Sequence, residues 1–97
     1  MKSTAILVNT ARGPLIDQAA LFTALKKGTI GGAALDVFDE EPPPAELLNE
    51  IPNLICSPHL AGISKESIRR MTVSATDSVL SVLAGEIPDT AINLPAT

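Results

Sequence analysis

Three kinds of side chain in this sequence could share one reaction. They are Arg12 in "NTARGP", the acidic trio Asp39, Glu40 and Glu41 in "LDVFDEEPPP", and His59 in "SPHLAG". Reduction of a 2-oxo acid by a hydride needs such a set. An arginine offers a planar fork that binds the substrate carboxylate and polarises its carbonyl. A histidine, as a residue type that titrates near neutral pH, can give the developing alkoxide a proton. A carboxylate behind the histidine fixes its tautomer and favours the imidazolium.

Each piece alone has a plainer explanation. An arginine after a strand is more often structural, and a histidine beside a proline is more often a satisfied loop residue. Acidic residues before prolines are mostly solvated. Cys56 follows "NLI" in a strand and is expected in the core rather than as a nucleophile. Ser57, Pro58 and His59 do not suggest a hydrolase, because adjacency in sequence is not triad geometry. With one His and one Cys, no metal site is expected.

The elements must bring the three places together. Residues 5–8, "AILV", form an apolar run without alternation, which fits a strand covered on both faces of a parallel sheet. "NTARGP" breaks it. Asp17 reads as the N-cap of a helix over 18–27, with Leu21, Phe22 and Leu25 as its apolar stripe and Gly28 at its end. Residues 30–37, "IGGAALDV", give a second strand in which Gly31 and Gly32 allow a close backbone neighbour. A strand, a helix and a strand make a βαβ unit. One helical turn is expected at 45–50 and a third strand at 54–57, stopped by Pro58. Ser64 caps a long amphipathic helix over 65–84 that stops at Gly85. The tail, with Pro88 and Pro95, is expected to be extended. The loops 9–13, 38–44 and 58–62 then follow three strands. In an open parallel sheet, ligands bind at the carboxyl ends of strands, so Arg12, one of the three acids, and His59 should share one edge.

Composition narrows the classes. Ninety-seven residues allow one small domain, and 45% hydrophobic against 19% charged residues permits a packed core. A net charge of -4 and aromatics at 2% argue against a nucleic-acid surface. The single cysteine points to a reducing compartment. The first residues lack a signal-peptide core, and no apolar run is long enough to span a membrane. A cytoplasmic protein without membrane or nucleic-acid partners is expected.

The stretch from Met1 through "LDVFDEEPPP", followed by "NLICSPHLAG", resembles the D-isomer-specific 2-hydroxyacid dehydrogenases. The pattern is Asn-x-Ala-Arg-Gly, then Gly-Ala-x-Leu-Asp-Val-Phe-x-x-Glu-Pro, then Pro-His-x-Ala-Gly; "GEIPDTAIN" also looks like the family's carboxyl-terminal end. The resemblance implies the second half of a Rossmann-type doubly wound parallel α/β sheet followed by a long C-terminal helix. Residues 1–62 would be the C-terminal half of an NAD(P)-binding domain. Residues 63–97 would be a helix and tail returning toward a substrate domain.

By the same resemblance, Arg12 is the substrate-binding catalytic arginine, Glu41 the glutamate that pairs with the catalytic histidine, and His59 the acid/base. Asp36 would hold the nicotinamide carboxamide. Thr10, Ala11 and the loop His59, Leu60, Ala61 and Gly62 would touch the nicotinamide end of NAD or NADP. The implied partner is a small 2-oxo or 2-hydroxy acid, and a homo-oligomer, such as a dimer, is expected.

The family's Gly-x-Gly-x-x-Gly phosphate loop and N-terminal substrate domain do not occur in these residues; "GTIGGA" at 28–33 lies between helix and strand in the wrong order. Two readings follow. One is the C-terminal part of such a dehydrogenase, expected to be inactive in isolation and to self-associate. The other is a non-catalytic remnant that serves as an interaction or self-associating module.

Overall fold

A computed structural model describes residues 1–93. Two compact units are present, Met1–Ala61 and a second that starts at Gly62. The part of the tail around Pro95 lies outside the described residues.

The first unit carries three parallel strands, β1 (Ile6–Asn9), β2 (Gly32–Leu35) and β3 (Leu54–Cys56), in the order β1-β2-β3. Val8 pairs with Ala34, and Ala34 with Ile55. Between β1 and β2 lie a 3-10 turn at Gly13–Leu15 and helix α1 (Gln18–Lys26). The 3-10 turn begins within the break expected at "NTARGP" and ends one residue beyond it. Asp17 caps α1 by accepting the Ala20 N–H at 2.9 Å. Gly28, at φ 66°, takes the left-handed conformation that ends a helix. Helix α2 (Ala45–Asn49) precedes β3.

One face of the sheet carries the core. Leu21, Phe22 and Leu25 of α1 pack with Ala33 and Leu35 of β2 and with Ile30, Phe38 and Ile51. The period-2 alternation of strands puts Ile6, Val8 and Ile55 on the opposite face. Those side chains are 62%, 65% and 74% exposed. The 5–8 run reads as a strand suited to cover on both faces; among the described residues α1 packs on one face, and the other is open. Cys56 also differs from expectation. It is exposed rather than in the core, because it is the last residue of β3, a strand at the edge of the described sheet.

The second unit is dominated by helix α3 (Lys65–Leu83). Ser64 caps it, and a capping box forms with Ser67 through bonds of 2.9 and 3.1 Å. Gly85 follows at φ 80°. None of the α3 side chains is buried.

Candidate active site at the carboxyl edge of the sheet

Each strand ends in a loop that carries one of the expected residues, and the loops are tied to one another. After β1, the buried Asn9 side chain folds its own loop: its Nδ2 donates to the Arg12 carbonyl at 2.8 Å, and its Oδ1 accepts from the Ala11 N–H at 3.1 Å. This is the local turn that Asn makes in competition with a strand. Arg12 is exposed, and its Nη1 donates to the Ala11 carbonyl at 2.6 Å. Thr10 and Ala11 are exposed in the same loop. Gly13 then packs directly on the backbone of Phe38, so the Arg12 loop and the loop after β2 touch.

The loop after β2 presents Glu41. Its Oε1 accepts the Phe38 N–H at 3.1 Å, and its Oε2 lies 2.6 Å from Nδ1 of His59. The carboxylate is thus held at both oxygens. The His59 hydrogen bond, above all, and the Phe38 N–H keep the Glu41 carboxyl below the usual carboxylate range. The charges of His59 and Arg12 act in the same direction, and burial opposes them. Of the three acids that spacing left open, Glu41 is the one the fold pairs with His59; Asp39 and Glu40 are exposed.

Asp36 ties the three strand ends together. Its N–H donates to the Asn9 carbonyl at 3.0 Å. Its Oδ1 accepts from the Ser57 hydroxyl at 2.6 Å and from the Leu60 N–H at 2.8 Å, and its Oδ2 accepts the Ala61 N–H at 2.9 Å. The Ser57 hydroxyl, and then the Ala61 and Leu60 N–H groups, hold its carboxyl below the ordinary range, against a contribution from burial. His59 itself sits at φ 57°, in the left-handed region that non-glycine residues adopt rarely. Gly62, the last of the expected contact residues, opens the second unit.

Asp36, Phe38, Glu41, Pro42, Pro43, Pro58 and His59 line one cleft of about 330 Å³. It is apolar along Phe38 and the prolines and acidic at its two carboxylates. Among the described residues, no group of His, Cys, Asp and Glu side chains is arranged to hold a metal ion.

Reading the residues by type did not single out Asn9, Gly13 or Ser57. Asn9 had a signal, since Asn directly after an apolar run commonly closes a turn on its own side chain. Ser57 had none, because its partner lies 21 residues away.

A parallel α/β sheet with its polar cluster at the carboxyl ends of adjacent strands is the Rossmann arrangement. The chain belongs to the D-isomer specific 2-hydroxyacid dehydrogenase family: residues 1–61 match the profile of that family's NAD binding domain. It is 48% identical over 94 residues to a glyoxylate reductase of Thermofilum pendens, an overlap of 96% of this chain and 28% of that protein. Among solved structures it resembles D-lactate dehydrogenase with NAD+ from Lactobacillus jensenii, with a TM-score of 0.76, 34% identity and coverage of 97% of this chain and 32% of the other. It also resembles an acyclic imino acid reductase in complex with NADPH and D-Arg, with a TM-score of 0.81, 32% identity and coverage of 96% and 29%. The chain spans less than a third of the length of the curated relatives it matches. No helix among the described residues is long and apolar enough to cross a membrane.

Proposed function

We propose that this chain supplies the nicotinamide-side half of an NAD(P)-dependent D-2-hydroxyacid dehydrogenase active site. The observation that carries this reading is the 2.6 Å pairing of Glu41 Oε2 with His59 Nδ1 in the cleft that Asp36 also lines. Residues 1–62 act as the C-terminal half of an NAD(P)-binding domain, and 63–97 as the helix and tail that return toward a substrate domain.

The donors present fit a nicotinamide ring. Asp36 Oδ2 accepts one hydrogen bond from protein, and a carboxylate oxygen can accept another. It can therefore take a carboxamide N–H, while Phe38, Pro42, Pro43 and Pro58 offer an apolar wall to an aromatic ring. Thr10, Ala11, Leu60 and Ala61 are the further residues assigned to that side. When bound, NAD or NADP supplies or accepts the hydride.

The side chains of the chain handle binding and protons. Arg12 holds the carboxylate of a small 2-oxo acid and polarises its carbonyl. With Nδ1 of His59 taken by Glu41, Nε2 is the nitrogen left to give a proton to the substrate oxygen, or to remove it in the reverse direction. Glu41 fixes that tautomer and orients the ring.

A chimera tests the proposal. This chain would replace the matching residues of the Thermofilum pendens glyoxylate reductase. NAD(P)H-dependent reduction of glyoxylate should persist, and His59→Ala should lower turnover by about 10²–10⁴-fold. A folded chimera without activity, or a His59→Ala variant with unchanged turnover, would overturn the assignment.

A second reading, a non-catalytic interaction module, rests on the open face at Ile6, Val8 and Ile55 and on an α3 that buries none of its side chains. A chimera that binds NADH yet shows no His59-dependent turnover would favour it.

A further inference from the structure

We propose that Ser57 is a positioning residue, which together with Asp36 sets the backbone conformation that aims His59 at Glu41. The proposal extends the dehydrogenase reading of the site, but its geometry stands without a cofactor.

Ser57 is fixed twice, on the last residue of β2 and on the residue that follows it. Its N–H donates to the Leu35 carbonyl at 3.0 Å, and its hydroxyl donates to Asp36 Oδ1 at 2.6 Å. Its own carbonyl accepts the His59 N–H at 3.1 Å. On the far side of His59, the N–H groups of Leu60 and Ala61 end on the same Asp36 carboxylate, at 2.8 and 2.9 Å. The histidine is therefore the raised link of a short chain segment that one carboxylate holds on both sides. Such a grip accounts for the φ of 57° at His59. A non-glycine residue keeps that conformation only where its surroundings over-determine it. Hydrogen bonds to an ionised acceptor are the strong kind, so three on Asp36 can hold it.

The grip governs reach. The His59 side chain is about half exposed, so burial does little to fix its ring. Its orientation comes from the backbone below and from Glu41 ahead. Without the Ser57 hydroxyl, Asp36 Oδ1 keeps only the Leu60 N–H, and the segment before His59 loses its side-chain anchor. The Asp36 carboxylate then serves two tasks at once, since the oxygen that remains free to accept is held in place by the loop that carries the acid/base.

His59 is the only histidine in the sequence, so its ring signals in an NMR spectrum are unambiguous. In the 97-residue chain, Ser57→Ala should quicken hydrogen exchange at the Leu60 and Ala61 amides by about tenfold. It should also weaken the cross-relaxation between the His59 ring and the Glu41 side chain. Ser57→Thr keeps the hydroxyl and should restore both. In the chimera, Ser57→Ala should lower kcat, and Ser57→Thr should recover it.

Unchanged exchange and unchanged His59–Glu41 cross-relaxation in a folded Ser57→Ala chain would overturn the proposal. So would a loss that Ser57→Thr shares. An NMR response as expected, beside a chimera without hydride transfer, would support the positioning role and count against the dehydrogenase reading alone.

Discussion

The Cβ that Gly13 lacks would overlap the carbonyl oxygen of Phe38. No side chain fits that gap, so the Arg12 loop can rest on the Glu41 loop only where residue 13 has none. Gly13→Ala forces two backbones apart, which is an overpacking change with no flexible neighbour to give way. A loss of about 1–3 kcal/mol is expected, read as a lower urea midpoint. A variant with the midpoint of the parent chain would show that the two loops do not touch.

Asn9→Ala removes both bonds that close the Arg12 loop from a side chain that is 6% exposed. The expected cost is about 1–2 kcal/mol. Backbone NMR signals of Ala11 and Arg12 should broaden or shift more than those of α1. Equal changes across the unit would mean that Asn9 supports the fold in general and not this loop.

Asp36 and Glu41 both have lowered carboxyl pKa values in the folded chain. The unfolded chain then binds protons first as the pH falls. Stability from these groups is complete above the ordinary carboxylate pKa of about 4 and declines as the pH drops through the lowered native values. Urea unfolding between pH 7 and pH 3 should show this decline. Ser57→Ala removes the largest cause of the Asp36 shift, so its curve should fall less steeply. A parallel curve would assign the acid sensitivity elsewhere.

Arg12→Lys, tested in the chimera, keeps the charge and loses the planar fork. A clear drop in kcat/KM for glyoxylate is expected, since the two cations are not interchangeable where a carboxylate is gripped bidentately. Wild-type performance by the lysine variant would remove Arg12 from substrate binding.

The open sheet face should drive self-association of the chain at micromolar concentration, because exposed apolar strand surface invites a partner. Size exclusion with light scattering should show a dimer or larger species, and Val8→Glu should shift it toward monomer. A monomer at every concentration would contradict this.

The elements were legible in the sequence because their signals are local. Asp17, Gly28, Ser64 and Gly85 mark the ends of α1 and α3 within a residue or two of where the helices stop and start. The three loops on one edge followed from strand order alone. What could not be read was contact across strands. Cys56 looks like a core residue by type, yet its exposure depends on which strand lies at the edge. The Ser57–Asp36 bond depends on pairing between β2 and β3, which neither residue announces.

The pairing of Leu35 with Cys56 has a further meaning for how the sheet assembles. If β3 slipped by one residue, either Pro58 or Cys56 would take the place of Ser57 beside Asp36. Pro58 has no N–H for the Leu35 carbonyl, and Cys56 offers a weak thiol donor where a hydroxyl stood. Either slip also turns every β3 side chain to the opposite face and carries the Leu60 and Ala61 amides about 3.3 Å from their carboxylate. The polar groups of the candidate site therefore proofread strand registry: a misregistered sheet forfeits the ligands of Asp36 before any substrate is met.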